Sequence, residues 1–164
     1  MSNIETTDYQ AQESITPNME ADVSYVGFWV RFAASVIDTI ILIMITFPIL
    51  FLIYGGEYFY SGESVQGWLD VIISYVFPIL AIILFWLYKS ATPGKIALLA
   101  KVVDEKTGNK LSVKQALIRY VAYYISLLPL GLGFIWIAMD KKKQGWHDKL
   151  AGSVVVHTDS YEND

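Results

Sequence analysis

The sequence contains no cysteine. That removes disulfide frameworks, thiolate metal sites and cysteine nucleophiles, and it leaves the redox compartment unread. Charge is also scarce, with Asp, Glu, Lys and Arg making up only 17% of the residues. Up to Gly27 there is no Lys or Arg at all, while Glu5, Asp8, Glu13, Glu20 and Asp22 make the stretch acidic. A cleaved secretory signal needs a basic start before its apolar run and a small-residue cleavage site after it, so none is expected here. The expectation is a disordered acidic tail over residues 1–24, followed by an uncleaved membrane anchor. No internal repeat or low-complexity tract interrupts the rest.

What is present is apolar. Hydrophobic residues make up 54% of the chain and aromatics 15%, and the mean hydropathy is +0.42. Three segments, about Phe28 to Tyr54, Trp68 to Tyr88 and Ala116 to Met139, each approach the roughly 20 residues that a helix needs to cross the hydrocarbon. A small soluble bundle is the competing class, but it leaves no room for a solvated surface. The sequence therefore predicts an all-α membrane protein.

The net charge of −4 hides an asymmetry. Lys89, Lys95, Lys101, Lys106, Lys110, Lys114 and Arg119 face only Asp104 and Glu105 in the stretch they share, so the positive-inside rule assigns that stretch to the cytoplasm. The loop from Gly55 to Gly67 carries Glu57 and Glu63 without a base, as an external loop does. If the third segment simply crossed, Lys141, Lys142, Lys143 and Lys149 would lie outside, against the same rule. Its middle reads Leu128-Pro129-Leu130-Gly131-Leu132-Gly133, where Pro removes a donor and Gly weakens helix continuation. The expectation is two half-helices, about Val113 to Leu127 and Leu132 to Met139. They form a broken re-entrant or interfacial hairpin that returns the chain to the cytoplasm. One kinked spanning helix with an external carboxyl terminus is the alternative.

Between the second and third segments, Ile96 to Val103 reads as a strand, Asp104 to Asn109 as a turn, and Ser112 with Gln115 as a capping box opening the next helix. Ala151 to His157 is a second β-branched run. A small cytoplasmic β element pairing it with Leu98 to Val103 completes the expected fold beside the two transmembrane helices and the hairpin.

The charged residues near the apolar runs carry the functional question. Arg31, Ser35, Asp38, Leu42 and Ile45 share one helical stripe. Asp38 lies about 15 Å further in than Phe28 at 1.5 Å per residue, where a carboxylate costs roughly 2.5–3.5 kcal/mol on insertion scales. It needs water, a proton or a partner. One reading is an ion or proton site; the other is a structural carboxyl bonded to Ser74, Tyr75 or Tyr124. Pro78 adds the prospect of a freed carbonyl in the second helix. His147-Asp148 lacks the third ligand or nucleophile that metal or covalent chemistry needs, so no catalytic role, metal or cofactor is assigned. Asp148 is instead expected to pair with Arg31 or a nearby Lys. Lys141, Lys142 and Lys143 are expected to meet anionic lipid headgroups at about 1 kcal/mol each. Pro93-Gly94-Lys95 lacks the first Gly and the following Ser or Thr of a phosphate loop, and reads as a turn leaving the membrane.

Three stretches in order, "GFWVRFAASVID", "ATPGKIALLAKVVDEKTGNKLSVKQALIRYV" and "LPLGLGFIWIAMDKKKQGWHDKLAGSVVV", resemble the RDD family of bacterial integral membrane proteins, named for one arginine and two aspartates. The resemblance covers about Tyr25 to His157, which sets the expected domain as residues 25–157 with a polar tail over 158–164. It implies that Arg31 begins the first membrane helix, that Asp38 lies within it, and that Asp148 of "HDKLAG" is the second aspartate, with Asp140 as competitor. It also implies a suspected part in transport of unspecified ligands in the bacterial cell membrane.

Two functions follow as expectations. The first is a transport or ion-exchange component with Asp38 as the ion-binding acid. Two spans and a hairpin are few for a complete path, so a homo-oligomer or a partner subunit is expected. The second is a non-transporting accessory or regulatory protein acting through its basic cytoplasmic face. Nucleic acid is not an expected partner.

Overall fold

The computed structural model describes residues 23–62 and 65–161. The acids of the anticipated tail, Glu63, and the last residues of the polar carboxyl-terminal tail lie outside them. Helix α1 spans Phe28–Tyr54 and α2 spans Trp68–Lys89. At 1.5 Å per residue they are about 40 and 33 Å long, enough to cross the hydrocarbon with some tilt. Their apolar side chains face outward, as Met44, Leu52 and Leu80 do, which in water would be a prohibitive apolar surface. Within α2 the turn Ile72–Val76 is π-helical. It lies directly before Phe77-Pro78, where the proline ring lacks an N–H and would crowd the Ser74 carbonyl in a regular helix.

The third apolar segment is broken as expected. Helices α4, Val113–Leu127, and α5, Leu132–Met139, meet at 100°. Gly131 at φ 77° makes the corner, and Leu130 at φ 53° shares its left-handed conformation. Ser112 opens α4 with a complete capping box, its Oγ accepting from the Gln115 N–H while the Gln115 side chain accepts from the Ser112 N–H.

One expectation for the connecting segment fails. Ile96 to Leu99 is not strand: Pro93–Ala97 forms a short helix, α3, and the strand β1 is Ala100–Asp104. Thr92 in extended backbone leads in and Pro93 takes the first turn, where its missing N–H costs nothing. An apolar run of this length suits either state, and packing against α1 selects the helix. Strand β2, Ser153–His157, pairs antiparallel with β1 in the register Val102↔Val155, and Ala151 belongs instead to a preceding helix, α6, Trp146–Ala151.

The chain entering α1 joins this sheet. Val26 N–H donates to the Val155 carbonyl at 2.9 Å, and His157 N–H donates to that of Ser24 at 2.9 Å. Val26, Val102, Val155, Trp86 and Ala116 form one buried core beneath it. The start of α1, the end of α2, the start of α4 and the last described residues therefore lie together at one end, called here the sheet end. The third segment is therefore a bent helix pair whose following chain returns to pair with β1.

A buried charge cluster at the sheet end

Asp148 is the third residue of α6 and is fully buried. Its Oδ2 accepts from its own helix start, the Gly145 N–H at 2.9 Å, and from Arg31 Nη1 at 2.6 Å. Its Oδ1 touches Arg119 Nη1 as an ion pair without the alignment of a hydrogen bond. Arg31 spends its other nitrogens on the carbonyls of Val26 (Nε, 2.9 Å) and Lys143 (Nη2, 2.6 Å). Arg119, nearly two turns into α4, reaches Ser153 Oγ at 2.5 Å and lies over the rings of Trp86 and Tyr123. Its Nε has no hydrogen-bond partner among the described residues. Burial alone would raise the Asp148 pKa, but Arg119 and Arg31 hold it well below the usual carboxylate range.

His147, beside it, stacks on Tyr123 with ring centres 4.2 Å apart and meets Ser126 Oγ through Nδ1 at 3.2 Å. Burial lowers its pKa to about 3 despite the attraction of Asp148, so the imidazole is neutral at physiological pH. Among the described residues no group of three or more His, Asp or Glu is placed to hold a metal ion.

Asp38 is placed differently from the partners anticipated for it. Its Oδ2 accepts from Thr92 Oγ1 at 2.5 Å and its Oδ1 from the Gly94 N–H at 2.6 Å. Ser74 instead serves Asp70, together with Tyr58. The contact with Asp38 is possible because position 94 has no side chain: a Cβ there would meet the Ala34 carbonyl oxygen and come within 3.0 Å of Asp38 Cγ. Lys95 follows, buried, and its Nζ donates to the same Thr92 Oγ1 at 3.4 Å. Burial lowers its pKa while Asp38 opposes that shift. Asp38, Thr92, Lys95, Tyr120 and Tyr124 line a cavity of about 320 Å³. With Leu42 and Ile45, the lower members of the same stripe, Asp38 also borders an apolar cavity of about 90 Å³.

Asp140 does not reach Arg31. It accepts from the N–H groups of Lys142 and Gln144 and pairs with Lys149 Nζ at 2.5 Å, shaping the loop before α6. Of the three consecutive lysines, Lys141 is exposed, Lys142 pairs with Glu105 at 3.1 Å, and Lys143 Nζ donates to the Ala138 carbonyl. Sequence reasoning missed Arg119 as a site residue because it counted it only as a member of a basic loop, and missed Lys95 because it set Pro93-Gly94-Lys95 aside as a turn. The signal for Arg119 was a lone charge inside the apolar run Ala116 to Ile125.

With this geometry established, comparison with known proteins identifies the lineage. The model of the RDD family matches residues 25–152, and the chain belongs to that family. It is 33% identical over 147 residues to "Uncharacterized protein YxaI" of Bacillus subtilis (strain 168), covering 80% of this chain and 96% of that one. It is 32% identical over 147 residues to "Uncharacterized membrane protein YteJ" of the same organism, covering 84% of each. It is 39% identical over 74 residues to "Uncharacterized protein RP437" of Rickettsia prowazekii (strain Madrid E), which takes in 45% of this chain and 40% of that protein's length. No solved structure matches. Family and apolar helices together make this a membrane protein.

Proposed function

We propose that this RDD-family protein is a non-enzymatic ion-exchange component of the bacterial cytoplasmic membrane, multi-pass with both termini inside, in which Asp38 is the exchanging acid. The carrying observation is the Asp38–Thr92–Lys95 chain. A carboxylate deep in α1 borders a cavity of about 320 Å³ and is joined through one hydroxyl to a buried lysine. Thr92 donates to Asp38 while accepting from Lys95. A proton on Oδ2 would turn that oxygen from acceptor into donor and reverse the Asp38–Thr92 bond, while Thr92 Oγ1 can still accept from Lys95. That is a two-state element of the kind an exchanger needs.

The inside orientation is supported by the clustering of bases. The fold brings Lys89 to Arg119 and Lys141 to Lys149 to the same sheet end, while the described part of the α1–α2 loop carries Glu57 and no base. The α4–α5 pair is then re-entrant or interfacial. Two spans facing outward enclose little, so the exchange is assigned to a homo-oligomer or to a complex with another membrane subunit.

A second reading, an accessory or regulatory protein acting through its basic sheet end, is favoured by one observation: both Asp38 oxygens already serve as acceptors for Thr92 and Gly94. Proteoliposomes separate the two. Ion exchange requires pH-coupled cation flux in wild type that Asp38→Asn abolishes, whereas no flux in either protein leaves the accessory role.

A further inference from the structure

Sharing Ser35, Lys95 and Tyr123 with the Asp38 cavity, a second cavity of about 210 Å³ lies between α1, α4 and α5. Its polar lining is Arg31, Lys95, Arg119, His147, Ser35 and Tyr123. No carboxylate lines it among the described residues. Asp148 lies behind the two arginines, occupied by both. Across the two cavities three cations face two carboxylates, Asp38 and Asp148, an excess of one positive charge next to a neutral His147.

Several donors at this cavity are unspent. Arg119 Nε is buried without a hydrogen-bond partner among the described residues. Lys95 Nζ has three protons to give, yet among the described residues it makes one long bond, to Thr92, and no ion pair. Such buried donors are costly unless something accepts from them. The remaining walls are apolar, with Phe28, Phe32, Phe134 and Ile137 among them. Phe32 is more than half exposed on the outer surface of α1, so the apolar wall continues onto the face presented to lipid. Arg31 is only one turn into α1, which puts the cavity at the level of the headgroup phosphates if α1 spans the membrane.

We propose that this cavity binds a phosphoryl oxyanion through Lys95, Arg119 and Arg31, with the apolar wall at Phe28, Phe32 and Phe134 accommodating the chain of an anionic phospholipid. The phosphate accepts from the spare donors and offsets the excess positive charge. A phosphodiester headgroup carries the apolar part these walls suit, while free phosphate is the other source of the same chemistry. The site acts whether or not Asp38 exchanges ions.

Its test uses the full chain in detergent. Bound lipid is counted by native mass spectrometry, and thermal unfolding is followed during titration with phosphatidylglycerol, phosphatidylcholine or inorganic phosphate at matched ionic strength. The expected result is one retained phosphatidylglycerol and a rise in Tm that phosphatidylcholine does not reproduce. Affinity should fall tenfold or more in Lys95→Met and stay unchanged in Lys106→Gln, an exposed lysine in the turn after β1. Ser35→Leu narrows the same cavity from an exposed position without altering charge, and should weaken binding even if Lys95→Met does not fold. Stabilisation by inorganic phosphate alone, lost in the same variants, keeps the site and assigns it to the free anion. No stabilisation by either ligand above matched chloride overturns the proposal, and so does binding that Ser35→Leu leaves intact.

Discussion

Arg31 and Asp148, 117 residues apart in the chain, meet at 2.6 Å with both side chains buried. The pair ties the first turn of a membrane helix to the small helix that precedes β2. Arg119 closes the same carboxylate from α4, so one acid gathers three segments that no local contact would hold together.

Removing either partner leaves a buried charge uncompensated. Arg31→Gln and Asp148→Asn are each expected to cost about 3–5 kcal/mol, and the double variant much less than their sum. Thermal unfolding in detergent provides the cycle. Additive losses would show that the two charges are not coupled.

Gly94→Ala is expected to destabilise at or beyond the upper end of the roughly 1–3 kcal/mol typical of overpacking. Its Cβ would meet the backbone carbonyl oxygen of Ala34, which cannot swing aside as a flexible side chain would. A Tm within error of wild type would mean that α3 does not pack on α1 as described.

Asp38→Ala leaves the Gly94 N–H without its acceptor, at an expected cost of about 1–3 kcal/mol. Stability must therefore be measured alongside flux, since an inactive variant that has also lost α3 packing says nothing about exchange. Asp38→Asn, which keeps one acceptor oxygen, is expected to lose less.

The neutral, buried His147 makes the fold acid-sensitive. Its pKa falls from 6.5 to about 3 on folding, so the stability it contributes is fully present above pH 6.5 and is lost as pH drops toward 3. Asp148, also held low, adds to the loss below its ordinary carboxylate range. His147→Phe keeps a ring against Tyr123 but cannot titrate, and should flatten the decline in Tm between pH 6.5 and 4. An unchanged slope would place the sensitivity elsewhere.

Ser160 Oγ accepts from the Ser24 N–H at 3.1 Å, so a probe there reports on both ends of the described chain. With no native cysteine, Ser160→Cys should react with an impermeant thiol reagent in inverted vesicles and not in intact cells. Labelling from outside would reverse the proposed orientation.

The positions of both spans, the break between α4 and α5, the Ser112 capping box and the pairing of two β-branched runs were legible from residue order. Each depends on a local property: the length of an apolar run, a Pro and Gly interruption, or a side chain three residues from its partner. The resemblance of three motifs to one family was legible for the same reason. Tertiary structure alone decided that Pro93–Ala97 is helix, because Gly94 must approach the backbone of Ala34, and that Asp38 is satisfied by Thr92 and Gly94. It also decided that Arg119 joins the expected Arg31–Asp148 pair, and that Lys95 turns inward from what reads as a solvated basic loop. Those outcomes depend on which distant groups share a desolvated space, where a charge must find a partner.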